Sequence, residues 1–202
     1  MADQYVGEFQ LYFLLGKDHI LDINNGYDHI LFIMALCTIY VIHDWKRILI
    51  LITAFTIGHS ITLALSTLRI ISVKTELVEF LIPMTILITA VSNLFVKESR
   101  MYSTKKIVQP NYWTALFFGL IHGMGFSNYL RSLLGKEKAI FTPLFSFNLG
   151  LEFGQIIIVG IFMASSFILV DLIGVSRRDW RFVISSAIGG IAWVLMKQAV
   201  FW

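Results

Sequence analysis

Five short polar clusters punctuate a chain that is otherwise close to continuously apolar: HDWKR (43–47), TLRIISVKTE (67–76), KESRMYSTKK (97–106), LLGKEKA (133–139) and GVSRRDW (174–180). This punctuation constrains the fold more than any single motif. A helix that crosses a bilayer needs roughly 20 apolar residues, and the stretches between the clusters have that length. Residues 27–43, 47–68, 75–96, 111–132, 148–172 and 180–201 are each predicted to be one transmembrane helix. Hydrophobic residues fill 57% of 202 positions and charged residues 14%, against about 45–50% and about 25% in soluble domains. The expected class is all-α and polytopic, a bundle of six transmembrane helices forming a single integral membrane domain over residues 1–202.

Two segments fall outside the regular pattern. Residues 139–173 are too many for one upright helix, so AIFTPLFSF (139–147) is predicted as a re-entrant or interfacial piece before the fifth span. Residues 7–15 read as an amphipathic segment lying against the membrane, and the acidic start of MADQYVGEFQ does not suggest a cleavable signal. Trp180 and Trp202 suit interfacial anchors. The lone Cys37 allows no intramolecular disulfide and reads as packing. No internal repeat is evident.

The net charge of +3 comes from loop Lys and Arg, the signature of membrane topology and not of nucleic-acid binding. With six spans both termini share one side. That side carries seven basic residues (Lys17, Arg69, Lys74, Arg131, Lys136, Lys138, Lys197). The other carries nine (Lys46, Arg47, Lys97, Arg100, Lys105, Lys106, Arg177, Arg178, Arg181). The difference places the termini outside.

Against this background the intramembrane polar residues stand out. His59 lies within FTIGHSITLALS and His122 within FFGLIHGMGFS, both near mid-depth of helices that run toward the side of the N-terminus. Asp28 and His29 open the first span on that side, and Asn148 and Glu152 fall in the first turns of the fifth. Asn148, Glu152 and Gln155, spaced i, i+4, i+7, share one helical stripe. Gly119 and Gly123, and Gly150 and Gly154, give G-x-x-x-G spacings that let helix backbones approach closely. An ionised side chain at a helix centre costs of order 2.5–3.5 kcal/mol, so such groups pair, line water or bind an ion. Imidazole suits first-row metals such as Ni and Zn. Asp28, His29, His59, His122 and Glu152 are therefore the expected ligands of a divalent transition metal (Ni, Co or Zn). His19, Asp22, Ser60, Asn148, Gln155, Glu76 and Glu79 are expected in a surrounding shell or pathway. Plainer readings stand beside these: Asp28 serves equally as a helix cap, and His19 with Asp22 as a surface pair.

The blocks GKDHILDINNGYDHILFIMALC, FTIGHSITLALS, VEFLIPMTI, FFGLIHGMGFS and FSFNLGLEFGQ, in this order, resemble the HupE/UreJ family of small bacterial membrane proteins. The resemblance implies a multi-pass protein of the bacterial cytoplasmic membrane that moves nickel or cobalt. It places Asp28 and His29 in the family's acidic–histidine motif and His122 in its glycine–histidine motif. The leading expectation is thus a transition-metal permease. The alternatives are an intramembrane hydrolase with a metal-activated water, or an accessory protein for a metalloenzyme. The lipid bilayer and a metal ion are the expected partners, with a homo-oligomer left open.

Overall fold

The computed structural model describes residues 7–23, 26–96, 108–134 and 140–201, with the backbone alone for 108–111 and 134. The Asn24–Asn25 turn, the 97–106 loop, Lys136, Lys138, Ala139 and Trp202 lie outside the described residues. The elements are α1 (Glu8–Leu21), α2 (Tyr27–Cys37), a 3-10 turn (Ile42–Asp44), α3 (Trp45–Thr67), α4 (Thr75–Leu94), α5 (Val108–Gly125), α6 (Ser127–Leu134), α7 (Phe141–Ser166, continuing as a π-helical stretch, Phe167–Leu172) and α8 (Arg177–Gln198). Among the described residues no strand occurs.

Local chemistry sets the helix ends. The Ser176 hydroxyl accepts from the Asp179 N–H at 3.0 Å and caps α8, leaving Asp179 in the first turn, where the helix dipole favours an anion. At the end of α3, Arg69 takes a left-handed φ of 61°. The Ile70 N–H then reaches the Leu65 carbonyl at 2.9 Å and the Arg69 N–H reaches that of Ser66 at 3.1 Å. This is a Schellman stop, with arginine where glycine is usual.

Two helix pairs form the centre, and glycines make them. Gly58 meets the backbone of Leu116, Gly119 that of Phe55, and Gly123 that of His59, each so closely that a Cβ would collide. Residue numbers rise together, so α3 and α5 run parallel. In the second pair Gly16 meets Phe147, Gly150 meets Phe13, and Gly154 meets Lys17. α1 and α7 are therefore also parallel, in the same register: Phe13-x-x-Gly16 stands where Phe55-x-x-Gly58 stands. The sequence reading found no internal repeat, but the packing contains one.

Contacts at the two ends of the bundle fix the remaining directions. At one end Gly125 lies near Val78 and Ile82 of α4, and Phe126 stacks on Phe147 of α7 at 4.9 Å. At the other, Arg181 donates to the Val96 carbonyl at 2.6 Å and Trp180 packs on Phe162 at 5.7 Å. α4 and α7 thus run in one direction. α2 joins them, because Asp28 and His29 share a cavity with Glu79 and Ile82, while Ala35 accepts from Asn93 at 2.7 Å. α1, parallel to α7, therefore runs in the same sense as α2. The two are not a hairpin but the halves of an interrupted helix, joined by a turn in which the Gly26 N–H reaches the Asp22 carbonyl at 2.8 Å.

This differs from the sequence reading in four respects. The first predicted span, 27–43, is helical only over Tyr27–Cys37 before the 3-10 turn, and the fourth, 111–132, is broken at Phe126 into α5 and α6. Residues 7–15 belong to a helix packed along α7, because Gly16 opens a groove that a flat surface helix would leave unfilled. Residues 141–147 are the first two turns of a continuous helix and not a separate re-entrant piece, since Pro143 sits in the first turn, where proline is tolerated. Among the described residues four helical stretches are long and apolar enough to cross a membrane: Ile42–Thr67, Thr75–Leu94, Phe141–Leu172 and Arg177–Gln198. α2 has 11 residues, about 16 Å at 1.5 Å per residue, well short of a hydrocarbon core about 30 Å thick.

Gly119→Ala is expected to force α3 from α5 and to cost about 1–3 kcal/mol, read as a lowered melting temperature in detergent. Gly160→Ala has nothing within 4 Å of the new methyl and is expected to be neutral or slightly stabilising. Equal melting temperatures for the two variants would contradict the packing account.

Candidate metal centre

The interruption between α1 and α2 brings His19 and His29 to the point where α3 and α5 deliver His59 and His122. His29 is the hub. Its ring centre lies 5.0 Å from those of His19 and His122 and 6.2 Å from that of His59. Ligand atoms of His19, His29 and His59 all lie within 4.8 Å of one another. His29, His59 and His122 are buried, and His19 is half-buried.

Hydrogen bonds assign the ring nitrogens. A carbonyl can only accept, so His122 Nδ1 donates to the Phe118 carbonyl, 2.9 Å away, leaving Nε2 with a lone pair. His29 Nδ1 faces Asp28 Oδ1 at 2.9 Å and donates to the carboxylate, which again frees Nε2. Asp28 Oδ1 also accepts the His29 backbone N–H at 2.8 Å. This is the carboxylate–histidine arrangement that fixes a ligand's orientation and raises its basicity. Among the described residues His19 Nε2, His29 Nε2, His122 Nε2 and both nitrogens of His59 are buried without a hydrogen-bond partner. Each orphaned polar atom costs about 1–3 kcal/mol. Gathering several at one point is therefore a strong signal for a ligand that uses them.

Above the histidines opens a cavity of about 590 Å³. Its wall includes Asp18, Asp22, Asp28, Glu79 and Tyr129, with the Phe126 ring centre 4.1 Å from that of His19. Asp18 is 68% exposed, whereas the Asp28 side chain is 22% exposed, so acidity extends from the surface to the hub. On the opposite side the histidines meet packed aromatic rings. Phe32 lies 5.1 Å from Phe55 and 5.4 Å from Phe118, all three buried.

The sequence-derived residues distribute as follows. His29, His59 and His122 converge, and Asp28 stands beside them as the partner of His29. His19 belongs to the cluster itself and not to its surroundings. Asp22 and Glu79 line the cavity, whereas Glu76 is exposed and is not part of its lining. Glu152 does not join the histidines: its Oε1 accepts from the Thr53 hydroxyl at 2.6 Å. The physical reason is that the α7 stripe faces α3 below His59, not the hub. Gln155 Oε1 likewise accepts from Thr56 at 2.8 Å. Asn148 flanks His59 and donates to the Leu144 carbonyl at 2.8 Å. Ser60 is occupied by the Thr56 carbonyl at 2.6 Å. Asp18 was missed. Its signal is in the sequence, because Asp-His-Ile-Leu occurs at 18–21 and again at 28–31.

Apolar helices of membrane length around a polar, histidine-floored cavity define a helical membrane protein with a metal-related role. A family model described as HupE / UreJ protein matches residues 1–202, the whole chain, and the chain belongs to that family. No match was found among curated proteins or among solved structures.

With the buried native Cys37 as an unreactive background, a hydrophilic maleimide is expected to label Asp18→Cys and Glu79→Cys readily. Thr56→Cys, beneath the histidines, is expected to react far more slowly. Equal labelling at position 56 would contradict a cavity closed at its floor.

Proposed function

We propose that the protein is a transition-metal permease of the cytoplasmic membrane, taking a divalent cation of the nickel, cobalt or zinc type through its acidic cavity to the histidine hub. The single observation carrying this reading is the group of imidazoles whose ligand atoms lie within 4.8 Å of one another, buried and without hydrogen-bond partners. Neutral imidazole is a preferred ligand of these metals. The family is generally linked to nickel and cobalt uptake.

Each group then has a task. Asp18, Asp22 and Glu79 raise the local concentration of cations at the entrance and begin to replace the hydration shell. His19, His29, His59 and His122 supply nitrogen ligands through their free lone pairs. Asp28 holds His29 in the ligating tautomer. Conduction requires a site that selects yet releases, and a mainly neutral imidazole set meets this better than a cage of carboxylates. α1 and α2 together make one broken pass, so the chain crosses six times with both termini on the cavity's side. The basic-residue balance puts that side outside, and the cavity faces the incoming ion.

The test is metal content and flux together. Purified protein stripped of metal and reloaded with Ni²⁺, Co²⁺ or Zn²⁺ is expected to retain about one ion per chain. Proteoliposomes are expected to accumulate that ion against empty-vesicle controls. His29→Ala is expected to weaken retention by more than about 100-fold, and Asp28→Asn, as an orienting partner, by about 10–100-fold. Retention in His29→Ala equal to that of the parent protein would end this reading.

A further inference from the structure

Below the hub, the centre of the bundle is shut by Phe32, Phe55 and Phe118, yet one side of it is polar. On α3, His59, Thr56 and Thr53 follow one another at three-residue intervals, toward the Arg181 end. On α7, which runs toward the same end, Asn148, Glu152 and Gln155 face them, and the lower two pairs cross: Asn148 flanks His59, Thr56 donates to Gln155 at 2.8 Å and Thr53 to Glu152 at 2.6 Å. Thr53 lies six residues from His59, about 9 Å along the helix.

Two features of this seam are unexplained by packing. Gln155 is fully buried, and its Nε2 has no partner. Because a hydroxyl both donates and accepts, the amide can bond Thr56 in either orientation. In both, one buried amide atom is left without a partner. The second feature is Glu152, a carboxylate within a membrane-length helix, whose hydrogen bond comes from a neutral hydroxyl. α1, with Lys17, meets the opposite face of α7, since Gly150 and Gly154 are each about 200° around the helix from Glu152, and the Lys17 ammonium pairs with Asp18 at 3.1 Å. An ionised Glu152 here is costly, and a visiting cation would offset that cost.

We infer that the cation leaves the histidines sideways, along the α3–α7 seam, and that Glu152 with Thr53 forms a second, oxygen-based station for a partly hydrated divalent cation. His59 belongs to both sites and hands the ion over. Asn148 and Gln155 supply amide groups in place of lost hydration, and a carboxylate–hydroxyl pair binds a borderline metal more weakly than imidazoles do. The path therefore runs from tighter to looser ligation, as release requires. This rests on the permease reading, and the experiment separates the two.

Glu152→Gln, Glu152→Asp and Thr53→Val are compared with the parent protein for Ni²⁺ retained at the high-affinity site per folded chain and for Ni²⁺ flux into proteoliposomes. Glu152→Gln is expected to retain Ni²⁺ as the parent does while flux falls by roughly 10-fold or more, the factor that loss of an interaction with a charged group implies. Thr53→Val is expected to lower flux by roughly threefold, and Glu152→Asp to recover part of it. Parent-like flux in both Glu152→Gln and Thr53→Val would overturn the seam path and leave the permease reading standing. Loss of high-affinity Ni²⁺ in folded Glu152→Gln would also overturn it, making Glu152 part of the hub. Absence of flux in the parent protein would overturn both proposals.

Discussion

Where Gly119 faces Phe55 and Gly150 faces Phe13, helix backbones touch with no side chain between them, and the rest of the molecule hangs on these two contacts. In lipid, association gains little from excluding water, so close van der Waals packing and polar contacts must hold helices together. The glycine seams supply that packing twice, in one register, once for α3 with α5 and once for α1 with α7. They also set depth. With the α3–α5 register fixed by Gly58, Gly119 and Gly123, His59 and His122 can occupy only one level of the bundle.

The interruption between α1 and α2 follows from the same packing. α1 is bound along α7, and α2 is held at its far end by Asn93. Neither half alone has the length of a crossing. The break falls where the two halves meet, and its flanks carry Asp18-His19 and Asp28-His29. A continuous helix would spread these residues over roughly 15 Å. Broken at Asp22–Gly26, it folds both histidines toward the pair delivered by α3 and α5. Buried nitrogens without partners are the cost, about 1–3 kcal/mol each, and on the proposed function a bound cation offsets it.

Much of this was legible in the sequence where one helix explains itself. The apolar periods gave the long helices, and the glycines around His122 marked a close approach. What the sequence withheld concerns partners. Asn148, Glu152 and Gln155 were rightly placed on one stripe, but spacing cannot say which neighbour a stripe meets. Thr53 and Thr56 of α3 meet it, so Glu152 bonds Thr53 and does not reach the histidines. His19 was expected only in the surrounding shell or pathway, or as a surface pair with Asp22; its place in the cluster depends on Gly16 fitting Phe147, a contact 131 residues away in the chain. The shared register of the two pairs was hidden for a similar reason. Phe-Leu-Leu-Gly and Phe-Thr-Ile-Gly agree only at the residues that touch.

The central claim is that the orphaned imidazole nitrogens exist to hold a transition metal. X-ray absorption spectroscopy of the protein loaded with one equivalent of Zn²⁺ tests it most directly, because imidazole rings leave a multiple-scattering signature that carboxylates and water do not. The account expects at least three imidazoles at a Zn–N distance of about 2.0–2.1 Å, reduced by one in His122→Ala. A shell of oxygen ligands without imidazole scattering would contradict it.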